Sequence, residues 1–285
     1  TRATMAEIRN RANGATRDLD AARAAYDTGD IDASRAAHEA KIHSDEHHAG
    51  DAGKYVKSLV FGGLDGIITT FAVVAASVGG NLSSDVILLM GFANLIADGL
   101  SMGFGDYLSS QAEVDYTKAE HTREKWELDN YPEGEKREMV ELYMKRGMTE
   151  EDAVSVIDVM AKYKNFFLDV MMVEELGLMP PDEDDQPWKN GVVTFVAFVL
   201  FGFIPLLSYV TANATGASDS VNFIVACVLT GVTMFLLGAA KAKFTNQSML
   251  RSALLMLLNG GMAAVAAYLV SWGIASAMGG VKETA

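Results

Sequence analysis

The chain has 285 residues, of which half are apolar, and its formal net charge at pH 7 is −14. The apolar content is too high for an ordinary soluble domain of this size, and the acidity excludes nucleic acid, which needs clustered Lys and Arg. Apolar and acidic residues are segregated, because residues 111–187 hold 21 Asp and Glu against 9 Lys and Arg. The acidic excess predicts cations as partners, and the single cysteine, Cys227, excludes a disulfide framework or a thiolate metal site.

Residues 1–55 are predicted to form a helical region outside the membrane. Ala-rich stretches at 17–27 and 31–43, separated by Thr28-Gly29-Asp30, predict a short helical hairpin. The cluster that follows either binds metal or forms the solvated start of the next helix; its residues are His43, Asp45, Glu46, His47 and His48. The chain begins with Thr1 rather than methionine, so we expect the natural chain to begin earlier.

Five apolar runs have the length of a membrane-spanning helix, which is about 20 residues. They cover residues 59–78, 86–108, 192–210, 221–240 and 252–275. The predicted fold class is therefore an all-α integral membrane protein with five transmembrane helices and a three-helix domain inserted between the second and third. The expected divisions are 1–55 before the membrane, 56–110 for the first two spans, 111–187 for the acidic domain, 188–278 for the last three spans, and a tail at 279–285.

The orientation follows from the basic residues, because Lys and Arg accumulate in cytoplasmic loops. Lys54 and Lys57 precede the first run, and three more basic residues lie between the fourth and fifth, whereas the links at 79–85 and 211–220 have none. These positions predict a cytoplasmic N-terminus, a cytoplasmic acidic domain and a C-terminus on the opposite, lumenal side.

Asp65 lies inside the first apolar run, where a charge costs about 2.5 kcal/mol or more and so usually marks an ion or proton path. A polar stripe follows on the second run at steps of four residues, which places its members on one broad helix face; they are Asn94, Asp98, Met102 and Asp106. Asp65 lies six residues after Leu59, so it is about 9 Å from the cytoplasmic end of the first run. This depth is level with Met102 and Asp98 on the second run. The alternative is that the methionine fills space and the acids form hydrogen bonds across the bundle.

Small residues and one proline predict how the spans pack. Gly62 with Gly66, and Gly99 with Gly103, have the GxxxG spacing that lets helix backbones approach closely. A gated, breathing interface is the other interpretation of the same spacing. Pro205 lies inside the third run and is expected to kink it.

The acidic segment is predicted to form three helices. The second span continues as a polar helix through residues 111–129, and Pro132 begins a second helix that Gly147 ends. Thr149, with Asp152 three residues later, approximates the capping box of a third helix, which extends or bends through Asn165 toward residue 178.

Acidic residues recur on these helices at the spacing of metal ligands. Those that share a helix face are Glu120, Glu124 and Glu127, the pair Glu135 and Glu138, and the group Met171, Met172 and Glu175. A mixed thioether and carboxylate set suits a borderline transition ion better than Mg²⁺ or Ca²⁺. The alternative is a solvated surface with local ion pairs such as Arg123 with Glu127 and Arg137 with Glu141.

Several motifs together resemble those of the vacuolar iron transporter family. They are His47-His48-Ala49-Gly50, Gly63-Leu64-Asp65-Gly66, Ser101-Met102-Gly103-Phe104-Gly105-Asp106-Tyr107-Leu108, Met171-Met172-Val173-Glu174-Glu175-Leu176-Gly177-Leu178, Ile204-Pro205-Leu206 and Lys241-Ala242-Lys243-Phe244-Thr245. They cover about residues 43–275 in the family's order, and the N-terminal hairpin lies outside them.

The resemblance implies a homodimer of five-span subunits that moves Fe²⁺, and often Mn²⁺, from the cytosol into an acidic vacuole in exchange for protons. Zn²⁺ and Co²⁺ are further candidate ions, and no prosthetic group is implied. Asp65 and Met102 match the family's translocation positions. The matches to its cytoplasmic metal-binding domain are Glu124, Glu127, Glu135, Glu138, Met171, Met172 and Glu175.

One position departs from the family. A glutamate usually stands eight residues before the pore methionine, and this chain has Asn94 there. Asp98, one turn further on, is a candidate to supply the missing charge.

Two other classes of function compete with transport. A membrane-anchored di-iron oxidase would need Glu-x-x-His pairs, whereas His121 directly follows Glu120. A metal sensor or store would use the membrane part only as an anchor, which needs no buried acids. The sequence thus favours a transporter over an enzyme and leaves Fe²⁺ and Mn²⁺ open as the physiological ion.

Overall fold

The computed structural model describes residues 16–17, 19–39, 41–42, 50–182, 185–215, 218–245 and 247–278. Those residues are helical apart from turns and one two-residue strand pair, which confirms the predicted all-α class. The chain divides into two compact units, Thr1–Lys54 and Tyr55–Ala285.

The first unit contains the predicted helical hairpin. Helix α1 covers Leu19–Thr28 and α2 covers Ile31–Glu39. Gly29 reverses the chain with a φ of +68°, which L side chains rarely adopt. A feature that the sequence analysis missed is a short antiparallel ladder between β1, Thr16–Arg17, and β2, Lys41–Ile42. The histidine cluster at 43–48 lies outside the described residues.

The second unit has five helices long and apolar enough to cross a membrane, as predicted. These candidate spans are Tyr55–Gly79, Ser84–Asn130, Pro187–Thr211, Asp219–Ala242 and Met249–Ala277. Helix α3 covers Gly50–Gly79, α4 covers Ser84–Asn130, α8 covers Pro187–Gly202, α9 covers Leu207–Thr215, α10 covers Asp219–Thr245 and α11 covers Met249–Ala277. The protein is therefore an integral membrane protein by the length and composition of its helices.

The predicted interruption at Pro205 is confirmed. Helix α8 ends at Gly202, a single 3₁₀ turn covers Ile204–Leu206, and α9 then resumes the same span. Proline causes this because it has no backbone N–H to donate and its ring clashes with the preceding turn.

Helix α4 is one continuous helix of 47 residues, so it is about 70 Å long. That length is more than twice the roughly 30 Å of a bilayer's hydrocarbon core. The second span therefore continues without a break into the acidic segment, as the sequence predicted. A hydrocarbon core of that thickness accommodates less than half of α4.

Three further helices follow in the acidic segment. Helix α5 covers Pro132–Lys145, α6 covers Glu150–Met160 and α7 covers Lys164–Glu174. Pro132 starts α5, and Gly147, with a φ of +103°, ends it. The Thr149 hydroxyl accepts a hydrogen bond from the Asp152 backbone N–H at 3.3 Å, which confirms the predicted cap.

The predicted third helix, expected to extend or bend through Asn165, is divided in two between Met160 and Lys164. The break changes the direction of the chain, so that α7 contributes to the same hydrophobic cluster as α4, α5 and α6. The buried members of this cluster are Leu128, Met139, Ile157, Phe167, Leu168 and Met171. Burial of these side chains holds the four helical segments together.

Helix α8 is the element against which the first two spans pack. A Cβ added to Gly62 would lie 2.5 Å from the Thr194 carbonyl oxygen, and one added to Gly103 would lie 2.8 Å from that of Gly191. Gly66 is still closer to the α8 backbone, at Phe198. The glycine pairs thus provide the close helix packing that the sequence predicted.

Candidate metal centre and membrane pathway

Three glutamates from three helices meet in the acidic segment. Glu124 lies on α4, Glu135 lies on α5 and Glu175 directly follows α7. Each offers a carboxylate oxygen, and these oxygens all lie within 4.8 Å of one another. We call these three residues the Glu trio. Local spacing predicted each of them as a ligand, and the turn before Pro132 and the break before α7 bring them together.

Burial of two of its three members makes the Glu trio electrostatically costly, whereas Glu175 is exposed. Glu124 is 1% exposed and Glu135 is 7% exposed. Desolvation, with repulsion from Glu175, raises the pKa of Glu124 to about 7, and desolvation, with repulsion from Glu124, raises the pKa of Glu135 to about 7. Burial and the neighbouring Glu138 also raise the pKa of Glu175. A bound cation would relieve this cost, because it favours the ionised carboxylates.

The other three predicted carboxylates surround the Glu trio. Glu120 and Glu127 both contribute to the raised pKa of Glu124, and Glu138 contributes to that of Glu135. Glu138 is exposed, whereas Glu120 and Glu127 are half-buried. All six predicted acids therefore lie in one electrostatic neighbourhood, with three at its centre and three at its rim.

The two predicted methionine ligands lie in the interior of the segment. Met171 and Met172 are fully buried, and Met171 belongs to the hydrophobic cluster beneath the Glu trio. They stand four and three residues before Glu175. Both thioethers are therefore close in sequence to a member of the Glu trio. Met171 also packs in the hydrophobic cluster, a role that was not predicted from the sequence.

Two ion pairs fix the helix ends around the Glu trio. Arg146, after α5, pairs with the Glu174 carboxylate and also donates to the Glu174 carbonyl oxygen at 2.9 Å. Lys164, at the start of α7, pairs with Asp129 at the end of α4. These contacts hold both ends of α7, and so they position Glu175.

Arg123 contacts three of the predicted ligands at once. Its guanidinium nitrogens lie 2.6 Å from Glu120, 2.8 Å from Glu124 and 3.2 Å from Glu127. The pair with Glu127 was predicted from the i,i+4 spacing. The contacts with Glu120 and Glu124 were missed, although the i,i+3 spacing to Glu120 could have indicated the first. The other predicted pair, Arg137 with Glu141, is wrong in its partner, because Arg137 donates to the Tyr131 hydroxyl at 2.9 Å.

In the membrane part, the predicted polar stripe lies along the edge of the buried face of α4. Its four members, Asn94, Asp98, Met102 and Asp106, are all half-buried. Asp98 lies near enough to Asp65 on α3 for the two carboxylates to interact electrostatically. The sequence predicts these two acids at the same depth in the membrane. The Asn94 side-chain nitrogen is buried and has no hydrogen-bond partner among the described residues.

Asp106 is bound to the neighbouring span. The Thr194 hydroxyl on α8 donates to the Asp106 carboxylate at 2.5 Å. One turn away, Asn190 donates to the Ser110 hydroxyl at 3.0 Å. These contacts connect α4 to α8 where α4 leaves the apolar run. Thr194 was not predicted, since a lone threonine in an apolar run gives no indication of its partner.

Helices, candidate spans and clustered acids define a class: a polytopic α-helical membrane protein whose second span extends into a carboxylate-rich helical domain. Comparison with known proteins makes this class specific. The model of the VIT family matches residues 56–272. Because this match covers most of the chain, the chain belongs to the VIT family.

Curated relatives agree with the family match. The chain is similar to the vacuolar iron transporter of Toxoplasma gondii, with 48% identity over 256 residues, which are 88% of this chain and 83% of the relative. It is 41% identical over 237 residues to the vacuolar iron transporter of Plasmodium falciparum, covering 82% and 86% of the two chains. It is also 34% identical over 226 residues to vacuolar iron transporter 1 of Arabidopsis thaliana, covering 79% and 88%.

Proposed function

We propose that this protein carries Fe²⁺ from the cytosol into an acidic, vacuole-like compartment in exchange for protons. The names of its relatives support iron as cargo and the vacuolar membrane as location. The observation that carries the proposal is the Glu trio, in which two buried carboxylates and the exposed Glu175 offer oxygens within 4.8 Å of one another. A collector of divalent cations needs such a site outside the membrane.

The acidic domain gathers the ion on the cytoplasmic side. Six carboxylates supply hard oxygen ligands; they are Glu120, Glu124, Glu127, Glu135, Glu138 and Glu175. Met171 and Met172 add soft sulfur, which favours a transition ion over Mg²⁺ or Ca²⁺. Mn²⁺, Zn²⁺ and Co²⁺ fit the same donor set, so that selectivity among these ions depends on geometry and supply.

Asp65 and Asp98 form the acidic pair of the membrane pathway. Their electrostatic proximity supports Asp98 as the replacement for the glutamate that the family usually has at Asn94. Met102 supplies a thioether on the same helix, and Asp106 stands at the cytoplasmic end. Two copies of the chain form a homodimer whose pore these residues line.

Competition for Asp65 couples the ion to protons. A cation stabilises the ionised carboxylate, whereas low pH on the lumenal side returns a proton to it. The ion leaves as the proton binds, which is antiport. The N-terminus and the acidic domain then face the cytosol and the C-terminus faces the lumen.

Uptake into proteoliposomes tests this proposal. Vesicles with an acidic interior should accumulate Fe²⁺ faster than vesicles without a pH gradient, and Asp65→Ala should abolish the difference. Asp98→Ala should have a similar effect, and Asn94→Glu should restore uptake to the Asp98 variant. Glu141→Gln, an exposed change on α5, is the control. Uptake that ignored the gradient, or that survived Asp65→Ala, would refute the antiport mechanism.

Competition between Fe²⁺ and Mn²⁺ in the same vesicles ranks the two ions. Fe²⁺ is expected to suppress Mn²⁺ uptake at equal concentration more than the reverse. The opposite ranking would make Mn²⁺ the main cargo and leave the transport mechanism unchanged.

A further inference from the structure

Arg123 places a fixed positive charge among the predicted metal ligands. It is the residue directly before Glu124, and its side chain is about half exposed. One terminal nitrogen contacts both Glu120 and Glu124, and the other contacts Glu127. Three of the six predicted carboxylate ligands are therefore already paired with a positive charge that the protein itself supplies.

The two oxygens of Glu124 have different surroundings. Oε1 pairs with the Arg123 guanidinium at 2.8 Å. Oε2 is buried and has no hydrogen-bond partner among the described residues. An unpaired buried carboxylate oxygen is costly, so it favours a cation close by. The guanidinium satisfies one side of this carboxylate and leaves the other side open.

We propose that Arg123 is a built-in competitor for the metal: it pairs with Glu120, Glu124 and Glu127, and an incoming divalent ion displaces it. This inference rests on the proposed role of the acidic domain in collecting metal. A carboxylate oxygen that pairs with the guanidinium cannot donate fully to an ion, so an ion that enters at the open Oε2 of Glu124 gains the oxygens paired with Arg123 only by displacing the guanidinium. Arg123 thereby limits the affinity of the domain and favours release of the ion toward the membrane.

The chemistry of arginine suits this role. Its guanidinium keeps its charge at every physiological pH, so Arg123 does not lose the charge with which it competes for the carboxylates. Its five N–H donors contact several carboxylates together, which a lysine ammonium does less well. Because the side chain is half exposed, it can turn into water when an ion arrives, and the ion then replaces its contact with the buried Glu124.

Three variants of the full-length protein in detergent test the proposal. Arg123→Gln removes the competing charge. Arg123→Lys keeps the charge but loses the several N–H donors of the guanidinium. Arg137→Gln is the control, because it removes one positive charge from a residue that contacts the Tyr131 hydroxyl instead of the predicted ligands. Titration with Mn²⁺, followed by the paramagnetic resonance of the free ion, gives the dissociation constant. Arg123→Gln should bind Mn²⁺ about fivefold more tightly, which is about 1 kcal/mol.

The controls separate the competitor from simpler effects. Arg123→Lys should lie between the wild type and Arg123→Gln, and Arg137→Gln should change affinity by less than half as much as Arg123→Gln. Dissociation of Mn²⁺ into excess chelator should be slower from Arg123→Gln. If Arg137→Gln bound Mn²⁺ as tightly as Arg123→Gln, the proposal would be refuted, since the loss of one positive charge alone would then explain the gain in affinity.

The remaining outcomes distinguish this inference from the proposed function. If the wild type binds Mn²⁺ and Arg123→Gln binds it equally or more weakly, Arg123 is a structural support and the inference is overturned alone. If none of the proteins binds Mn²⁺, both the metal-collecting role and the inference are overturned. Binding by Arg123→Gln but not by the wild type would support the competitor in its strongest form.

Discussion

Substitution of Glu124 by glutamine should stabilise the protein without metal and prevent its stabilisation by metal. Glu124 is 1% exposed, and its pKa is about 7 against an ordinary value of 4.5. That difference corresponds to about 3 kcal/mol of cost for the ionised form. Loss of the contact with Arg123 and the hydrogen-bond needs of the amide offset part of the gain. We therefore expect Glu124→Gln to stabilise the acidic domain by about 1–2 kcal/mol at pH 8.

The difference in stability between Glu124→Gln and the wild type depends on pH. Below pH 4.5 the carboxyl holds its proton in both the folded and the unfolded chain, so the variant and the wild type should be similar. Between pH 4.5 and 7 the unfolded chain loses the proton first, and the stability of the wild type falls as the pH rises. Above pH 7 the full cost is present in the wild type and absent from the variant.

Thermal unfolding in detergent with EDTA, measured from pH 4.5 to 8, checks this prediction. The midpoint of Glu124→Gln should exceed that of the wild type by an amount that grows from pH 4.5 to about 7 and is complete at pH 8, and the exposed control Glu141→Gln should follow the wild type. Added Mn²⁺ at 100 times its dissociation constant stabilises the protein that binds it by about 2.7 kcal/mol, so the wild type should then be the more stable. A variant that is less stable at every pH, or that gains equally from Mn²⁺, would refute the reasoning.

Three further predictions follow from the described contacts. Gly66→Ala places a Cβ against the Phe198 carbonyl oxygen and should lower stability by about 1–3 kcal/mol in thermal unfolding, whereas Gly273→Ala, with open space around it, should be neutral. Arg146→Gln removes the contacts with Glu174 and should weaken Mn²⁺ binding several-fold in titrations without altering the helix content seen by circular dichroism. Mn²⁺ affinity should fall steeply as the pH is lowered through about 7, where two trio carboxyls take up protons, and a pH-independent affinity would contradict the site.

The membrane part of the fold could be predicted because its signals are long and local. An apolar run of about 20 residues identifies a span by itself, and five such runs gave five helices. The break at Pro205 and the helix ends at Pro132 and Gly147 also follow from backbone chemistry at single residues. None of these features depends on a distant part of the chain.

The composition of the Glu trio could not be predicted, because it depends on contacts between distant segments. Spacing along one helix grouped Glu124 with Glu127 and Glu135 with Glu138, and it gave every acid equal standing. The structure instead brings together one acid from α4, one from α5 and the residue that follows α7. The division between α6 and α7, which places Glu175 there, is determined by burial of Phe167 and Leu168 and has no proline or glycine to mark it.

Helix α4 carries both Glu124 and Asp106, and they are 18 residues apart. At 3.6 residues per turn this separation is five turns, so both side chains leave a straight helix on the same side, about 27 Å apart. That distance is about three Debye lengths at physiological salt, so neither carboxylate electrostatically attracts an ion held at the other. For the proposed function, this separation predicts that loading of the domain and entry into the membrane are separate kinetic steps, joined by diffusion along one side of the same helix.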